Sequence, residues 1–358
     1  MSVHTLPAPP PPIHGRGTPI NPPNRFEALA YVPDPDLPAE EAPAPATRFY
    51  RDAAASLITY NDSPDLGFSA SINVYRGCEH GCAYCFARPF HEYLGLSAGL
   101  DFETKIFVKT AAPALLREEL AARSWKPQTV VMSGVTDCYQ PAERHFQLTR
   151  ACLEVFAAFR NPVALITKSH LVTRDIPLLA PLAGIQAARV FVSVTTLDAD
   201  LARRLEPRAS APAHRLRAIR ELAAAGIPVG VMAAPMIPGL TDHELPAILE
   251  AARSAGARYA GYTLLRLPYG VKEIFGTWLD QHEAGKKDRI LGRIRRSRGG
   301  KLYDATWSKR HRGEGIFAEQ LAQVFAVTAR RLGFQRECEP LSVAEFRAPG
   351  GRQLDLGL

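Results

Sequence analysis

An α/β fold, with a parallel sheet wrapped by helices and curved into an incomplete TIM-like barrel of six βα units, is predicted by three features of the sequence. Short β-branched runs alternate with amphipathic stretches of helical period from about residue 70 onward. The strand candidates are apolar almost throughout, as strands buried on both faces must be. There are six such units rather than the eight of a closed barrel.

In chain order the strand candidates are SINVY (71–75), TVVMS (129–133), VALIT (163–167), RVFVSVT (189–195), PVGVMAA (228–234) and RYAGYTLL (258–265). The helical patterns between them are PALLREELAARS, AERHFQLTRACLEVFAAF, DIPLLAPLA, PAHRLRAIRELAAAG and HELPAILEAARSAG. In such folds, ligands meet the loops at the carboxyl ends of the strands. Residues 1–46 hold the run PAPPPP and many further prolines, which deny the backbone a ladder and predict an extended or disordered arm. Within it Arg16, Asn21, Asn24 and Arg25 are candidates to dock on the body, against the simpler expectation of a plain linker. Residues 68–265 form the expected core. Residues 266–358 are a mostly helical extension, in which VKEIFGTWLDQHEAGKKDRILGRIRRSRGG and GIFAEQLAQVFAVTARRLGF read as helices.

The 358 residues, 46% of them hydrophobic, suffice for a large core. No apolar run approaches the roughly 20 residues of a membrane span, and MSVHTLPAPPPPIHGRG lacks a signal-peptide pattern. The expectation is a cytoplasmic protein with no membrane partner. Residues 286–312 carry eleven Lys and Arg against Asp288 and Asp304. That local surplus of nine exceeds the whole chain's +7 and leaves the rest near −2, so this segment is where a polyanion is attracted. A solvated helix face is the plainer reading of the same charges.

Six cysteines are too few for a disulfide scaffold at this length, and three of them, Cys78, Cys82 and Cys85, fall in RGCEHGCAYCFAR directly after the first strand. Three clustered thiolates leave one metal position open. The alternatives are a Cys3His zinc site completed by His80 or His91, and a [4Fe-4S] cube with three irons held by protein and one free. Spacing and position after a barrel strand favour the cube. Gly77 and Gly81 let the loop wrap closely.

Cys78-x3-Cys82-x2-Cys85, with Tyr84 before the third cysteine, resembles the signature of the radical S-adenosylmethionine (SAM) superfamily. VVMSGVTDCYQP and LEPRASAPAHRL are similar to its branch containing spore photoproduct lyase, a DNA-repair enzyme. The resemblance implies a [4Fe-4S] cluster on the three cysteines and SAM on the fourth iron. It implies reductive cleavage of SAM to a 5′-deoxyadenosyl radical, with an electron donor such as flavodoxin or ferredoxin. It further implies cofactor contacts at Tyr84, at Ser133, Gly134 and Thr136 after the second strand, and at Ser193 and Thr195 after the fourth. Lys168 and Arg208 are the candidate cations for the SAM carboxylate. Cys138 and Tyr139 are the candidate catalytic residues, Cys138 as a hydrogen-atom donor, although it does not sit where the lyase places its cysteine. Cys152 reads as core.

Three functions compete. The leading one is a radical SAM enzyme acting on nucleic acid gripped by residues 286–312. The second keeps this chemistry but gives it a peptide or small-molecule substrate. The third is a non-catalytic metal-bearing module that binds nucleic acid.

Overall fold

In the computed structural model, which describes residues 10–27 and 45–348, the apolar runs gather into one sheet. The strands are β1 (Arg48–Arg51), β2 (Thr59–Tyr60), β3 (Ala70–Ile72), β4 (Tyr75–Arg76), β5 (Lys105–Val108), β6 (Val130–Met132), β7 (Val163–Thr167), β8 (Ala188–Ser193), β9 (Val229–Met236) and β10 (Tyr259–Leu264). The main sheet has the order β10-β9-β8-β7-β6-β3-β2. Its six longer members run parallel, and β2 pairs antiparallel with β3 at the edge. Residues Val130, Val163 and Ala188 stand side by side in register, so all six carboxyl ends open onto the same face.

The expected first strand is split. Asn73 and Val74 interrupt it: β3 stays in the main sheet, while β4 crosses to a small sheet of order β1-β5-β4. The Asn73 side-chain oxygen accepts from the Val135 and Thr136 amides (2.9 and 3.3 Å), so the interruption also braces the loop after β6. Strands of two to four residues, one of them exposed throughout, carry too little pattern to be read from sequence.

The helical stretch expected over 142–159 is two helices, Glu143–Phe146 and Leu148–Phe159, parted by Gln147 in the left-handed region at φ 50°. The Glu143 carboxylate accepts from the Thr149 and Arg150 amides (3.0 and 3.3 Å) and so caps the second helix across the break. The long stretch from 271 likewise divides into Val271–His282 and Lys287–Arg296. Phe275, Trp278, Leu279, Ile290 and Ile294 of these helices share a buried cluster with Cys82, Ala83 and Tyr84, so the extension packs directly on the cysteine loop. No described helix is long and apolar enough to cross a membrane.

Residues 10–27 do not trail away as a linker. Arg16 donates to the Glu103 carbonyl (3.0 Å), and the Asn21 side-chain oxygen accepts from the Asp101 amide (3.0 Å). Asn24 donates to the carbonyls of Glu92 and Leu96 (both 2.9 Å), and Arg25 pairs with Glu92 at 2.5 Å. The remainder of the proline-rich arm (1–9 and 28–44) and the last ten residues lie outside the described residues.

Leu165 sits wholly buried in β7 at the centre of the sheet. Leu165→Ala is expected to lower the unfolding free energy by about 2–5 kcal/mol, the usual cost of a core cavity. Urea denaturation of the two proteins measures it.

Candidate metal centre

The loop after β4 has no ladder of its own; the Cys85 amide donates to the Cys82 carbonyl (3.2 Å) within it, and the rest of its support comes from outside. The Cys78 amide donates to the Phe102 carbonyl (2.9 Å) and the Ala83 amide to the Leu205 carbonyl (3.0 Å). Gln140, fully buried, accepts from the Glu79 amide (2.9 Å) and donates to the Gly77 carbonyl (3.1 Å). Buried Arg88 donates to the Cys82 carbonyl (3.0 Å) and pairs with Glu103 at 2.5 Å. Gly77 and Gly81 adopt φ of 81° and 67°, conformations that a side chain would strain.

All three cysteines are free; Cys78 and Cys82 are buried and Cys85 is half-buried. Burial pushes each thiol up, and the charges of Asp137 and of the other two sulfurs push Cys78 further. Three thiolates are tolerated at such a place only opposite strong positive charge. Of the two candidates for a zinc-completing ligand, His80 is engaged by Asp137, whereas His91 is buried with its Nε2 unpartnered among the described residues. The His80 ring faces Asp137 (3.4 Å), and His91 packs edge-on against Phe102. Among the described residues no group of three or more His, Cys, Asp or Glu is arranged to hold a single metal ion.

Two carboxylates tie the loop to the strand ends: Glu206, buried, within LEPRASAPAHRL, and Asp137, largely buried, within VVMSGVTDCYQP. Glu206 accepts from the Thr195 hydroxyl (2.8 Å) and the Tyr84 hydroxyl, and pairs with Arg215. Burial opposes its charge, but Arg215 and Lys168 outweigh burial and hold the carboxyl at about 2. Asp137 accepts from the Thr167 hydroxyl (2.7 Å), the Lys168 amide (2.7 Å) and the Tyr139 amide (2.9 Å), with His80 alongside. Here too burial is outweighed, chiefly by His80, and the carboxyl is held at about 2.

The expected site residues separate into three groups. Lys168 stays half-buried among the loops, its ammonium 3.3 Å from the Ala234 carbonyl and close enough to influence Cys82, Cys85 and Glu206. Ser193 lies at the end of β8, where its carbonyl receives Arg215 (3.1 Å). Ser133 and Gly134 follow β6, and no described residue donates to their carbonyls.

A second group has its polar atoms already engaged. The Thr195 hydroxyl is taken by Glu206 and the Ala234 carbonyl, and the Thr136 hydroxyl by the Tyr75 carbonyl (2.7 Å). The Ser133 hydroxyl accepts from the Cys138 amide (2.7 Å). Tyr84 is buried, with its hydroxyl in the Glu206 network, and Arg208 is paired with Glu79 (2.9 Å) and bonded to Thr47 (3.2 Å). These side chains shape the site more than they line it.

Cys138 and Tyr139 form the third group. Both belong to the main core rather than to an open rim, at 3% and 1% exposure, and the Tyr139 hydroxyl donates to Asp175 (3.1 Å). The turn that aims Asp137 at the β7 end necessarily turns its two successors inward.

Because the folded pKa of Glu206 and Asp137 lies below their ordinary 4.5 and 3.8, their ionisation stabilises the fold above those values. That contribution is expected to disappear as pH falls from about 4.5 towards 2. Urea unfolding at stepped pH should show this acid limb, and Glu206→Gln should flatten it. Arg215→Ala, which strands a buried carboxylate, is expected to cost about 3–5 kcal/mol at neutral pH.

Comparison with known proteins agrees with this geometry. An uncharacterized protein of Mycobacterium tuberculosis is 40% identical over 216 residues, 60% of this chain and 64% of that protein. One of Methanocaldococcus jannaschii is 30% identical over 173 residues, 48% and 62% of the two chains. This chain thus spans less than two thirds of the length of these relatives. Spore photoproduct lyase complexed with dinucleoside spore photoproduct superposes with TM-score 0.53 at 16% identity, over 80% of both chains. A mutant of the lyase with bound AdoMet and the same dinucleoside gives 0.50 at 17%, over 76% of this chain and 77% of that one. At such identities the likeness is one of fold. The family model described as the Radical SAM superfamily matches residues 72–252, half of the chain, from β3 through the helix after β9. The chain belongs to the radical SAM superfamily.

Proposed function

We propose that Cys78, Cys82 and Cys85 hold a [4Fe-4S] cluster at the mouth of an incomplete barrel (68–265), and that the enzyme cleaves SAM reductively there to act on nucleic acid. The observation that carries the reading is the cysteine loop itself. It presents three free thiols, two of them buried and one half-buried, on a loop pinned by groups from three other segments. A cube suits that donor set because it spreads three thiolates over three irons and supplies the positive charge their burial demands.

When bound, the cluster supplies the electron that breaks a carbon–sulfur bond of SAM, received from a donor such as flavodoxin or ferredoxin. The chain's own residues bind and orient. Of the two candidate cations, Lys168 is the one not already bridged to a carboxylate among the described residues, and it is assigned the SAM carboxylate. The carbonyls of Ser133 and Gly134 are assigned the amino group. Glu206 and Asp137 keep Thr195, Tyr84 and Lys168 in place, and the apolar cover of Trp278 and Phe275 excludes water.

Nucleic acid is favoured by a ledge of exposed rings that starts beside the cysteine loop. Phe86 follows Cys85, with Arg266 over its ring (4.9 Å). Phe90 and Phe26 flank Tyr93 (6.4 and 4.9 Å), and Arg25 lies over both Phe26 (5.0 Å) and Tyr269 (3.6 Å). Tyr269 reaches Tyr303 (6.5 Å), inside the basic segment. Rings and guanidinium groups in succession are what stacked bases and phosphates require.

The basic segment is less free than its charge count suggests. Lys286, Lys287, Lys309 and Arg310 pair with Glu283, Asp280, Glu314 and Asp65, and Arg293 with Asp242 (3.7 Å). Arg298 is buried, donates to the carbonyls of Leu265 and Arg310, and belongs to the scaffold. Arg289, Arg295, Arg296, Lys301 and Arg312 remain exposed with no ion pair among the described residues, Arg296 over the Phe317 ring and Arg312 over that of Tyr262.

Anaerobic reconstitution of the parent is expected to yield one oxygen-sensitive cluster and, with dithionite and SAM, 5′-deoxyadenosine. Replacing any one of the three cysteines by Ala should abolish both; a colourless, zinc-loaded parent would refute the assignment. Lys168→Ala is expected to keep the iron and weaken SAM binding. Replacing Arg289, Arg295 and Lys301 by Gln should lower the slope of log affinity for an oligonucleotide against log salt, by about 0.7–0.9 for each phosphate no longer neutralised. Tyr269→Ala should cost about 1–3 kcal/mol of binding without changing that slope. No measurable affinity of the parent at physiological salt would transfer the proposal to a peptide or small-molecule substrate.

A further inference from the structure

We propose that residues 13–25 form a strap that sets the conformation of the three-cysteine loop and is thereby a working part of the metal centre. The inference rests on the reading of that loop as the cluster's holder. It concerns a segment that lies wholly outside the residues matched by the family model.

The strap meets the loop backbone to backbone. A Cβ placed on Gly17 would stand 1.6 Å from the Gly81 carbonyl oxygen and 3.2 Å from the Ala83 amide, so no residue but glycine allows the approach. Gly81 and Ala83 flank Cys82, which makes Gly17 the wall behind the middle ligand. The same press recurs at the strap's other end, where a Cβ on Gly99 would lie 2.0 Å from the Ile20 carbonyl oxygen. Gly17, Thr18 and Pro22 are buried although the segment has no secondary structure of its own.

One carboxylate joins strap and loop. Glu103, wholly buried, accepts from the Gly17 amide (2.9 Å) on one oxygen and from Arg88 (2.5 Å) on the other. Arg88 in turn holds the Cys82 carbonyl (3.0 Å). A hydrogen-bonded path therefore runs from the strap to the backbone of a cluster ligand in three links. Arg16 adds a second path: it donates to the Glu103 carbonyl (3.0 Å) and to Thr47 (3.2 Å), which also receives Arg208. Arg208 reaches Glu79, the residue after Cys78. Gly17 and Arg16 are positioning residues: Gly17 abuts the loop that carries the ligands, Arg16 reaches it through Glu103 and Thr47, and a shift of either moves the sulfurs.

The test uses the full-length protein, reconstituted anaerobically, with three readouts: iron retained against a chelator, the electron paramagnetic resonance spectrum of the dithionite-reduced state, and the melting temperature. Gly17→Ala is expected to weaken iron retention about tenfold or more, the size typical of lost support behind metal ligands, and to alter the spectrum. Arg16→Ala removes side-chain hydrogen bonds without a backbone clash and covers the case in which Gly17→Ala does not fold. It is expected to act in the same direction while melting near the parent. Gly67→Ala, at a position where a Cβ meets nothing, should leave all three readouts unchanged. A parent that takes up no iron would overturn the cluster reading itself. A parent that takes up iron, with a folded Gly17→Ala or Arg16→Ala matching it in retention and spectrum, would overturn the strap alone.

Discussion

Carboxylates taken out of water and kept charged are the constraint on which the site depends. Glu206 and Asp137 stand behind the cysteine loop in this way. Glu103, whose carboxyl burial pushes up against the pull of Arg88, joins them, and each carries donors from two or more segments that are distant in sequence. A buried ion pair such as Glu206–Arg215 adds little net stability over apolar packing, since desolvation cancels most of the attraction. What it does impose is geometry, because a displaced partner leaves a bare charge in a poor dielectric. An irregular loop between two sheets has few other means of keeping one shape.

The strands were legible because burial on both faces writes itself into composition. VALIT matches β7 residue for residue, and the other five runs fall within two or three residues of the strand ends. The cysteine motif was legible because its spacing is unusual. The supporting shell was not: Glu206, Arg215, Glu103 and Arg88 are single charged residues without periodicity, and only the folded chain brings them together. Asp137 shows the limit sharply. TDCYQP puts Asp137, Cys138 and Tyr139 together after the second strand, yet the irregular turn sets the Asp137 carboxylate against the β7 end and packs its two successors into the main core.

Charge is the other case in which a local count misleads. Five of the eleven cations within 286–312 are answered by Asp65, Asp242, Asp280, Glu283 and Glu314. Tyr303 of the same segment meets Tyr269, whose ring is covered by Arg25 of the arm, a contact that no contiguous stretch of sequence spells out. Proline-rich composition misled in the opposite sense. Proline forbids a ladder, but side-chain caps and glycine contacts anchor residues 13–25 without one.

The order β10-β9-β8-β7-β6-β3-β2 leaves the sheet with two raw edges rather than closing it. Each edge is a row of unpaired amides and carbonyls, the usual seed of intermolecular strand addition. Here one edge is only Thr59 and Tyr60 long, too short to template a partner. The other is crossed at Tyr259 by Gln335, whose amide takes the Arg258 carbonyl (3.0 Å) and so denies that row its first free acceptor. The residues after the last helix thus serve as a stopper, and trimming the chain before Gln335 would open that row to a strand from a neighbouring molecule.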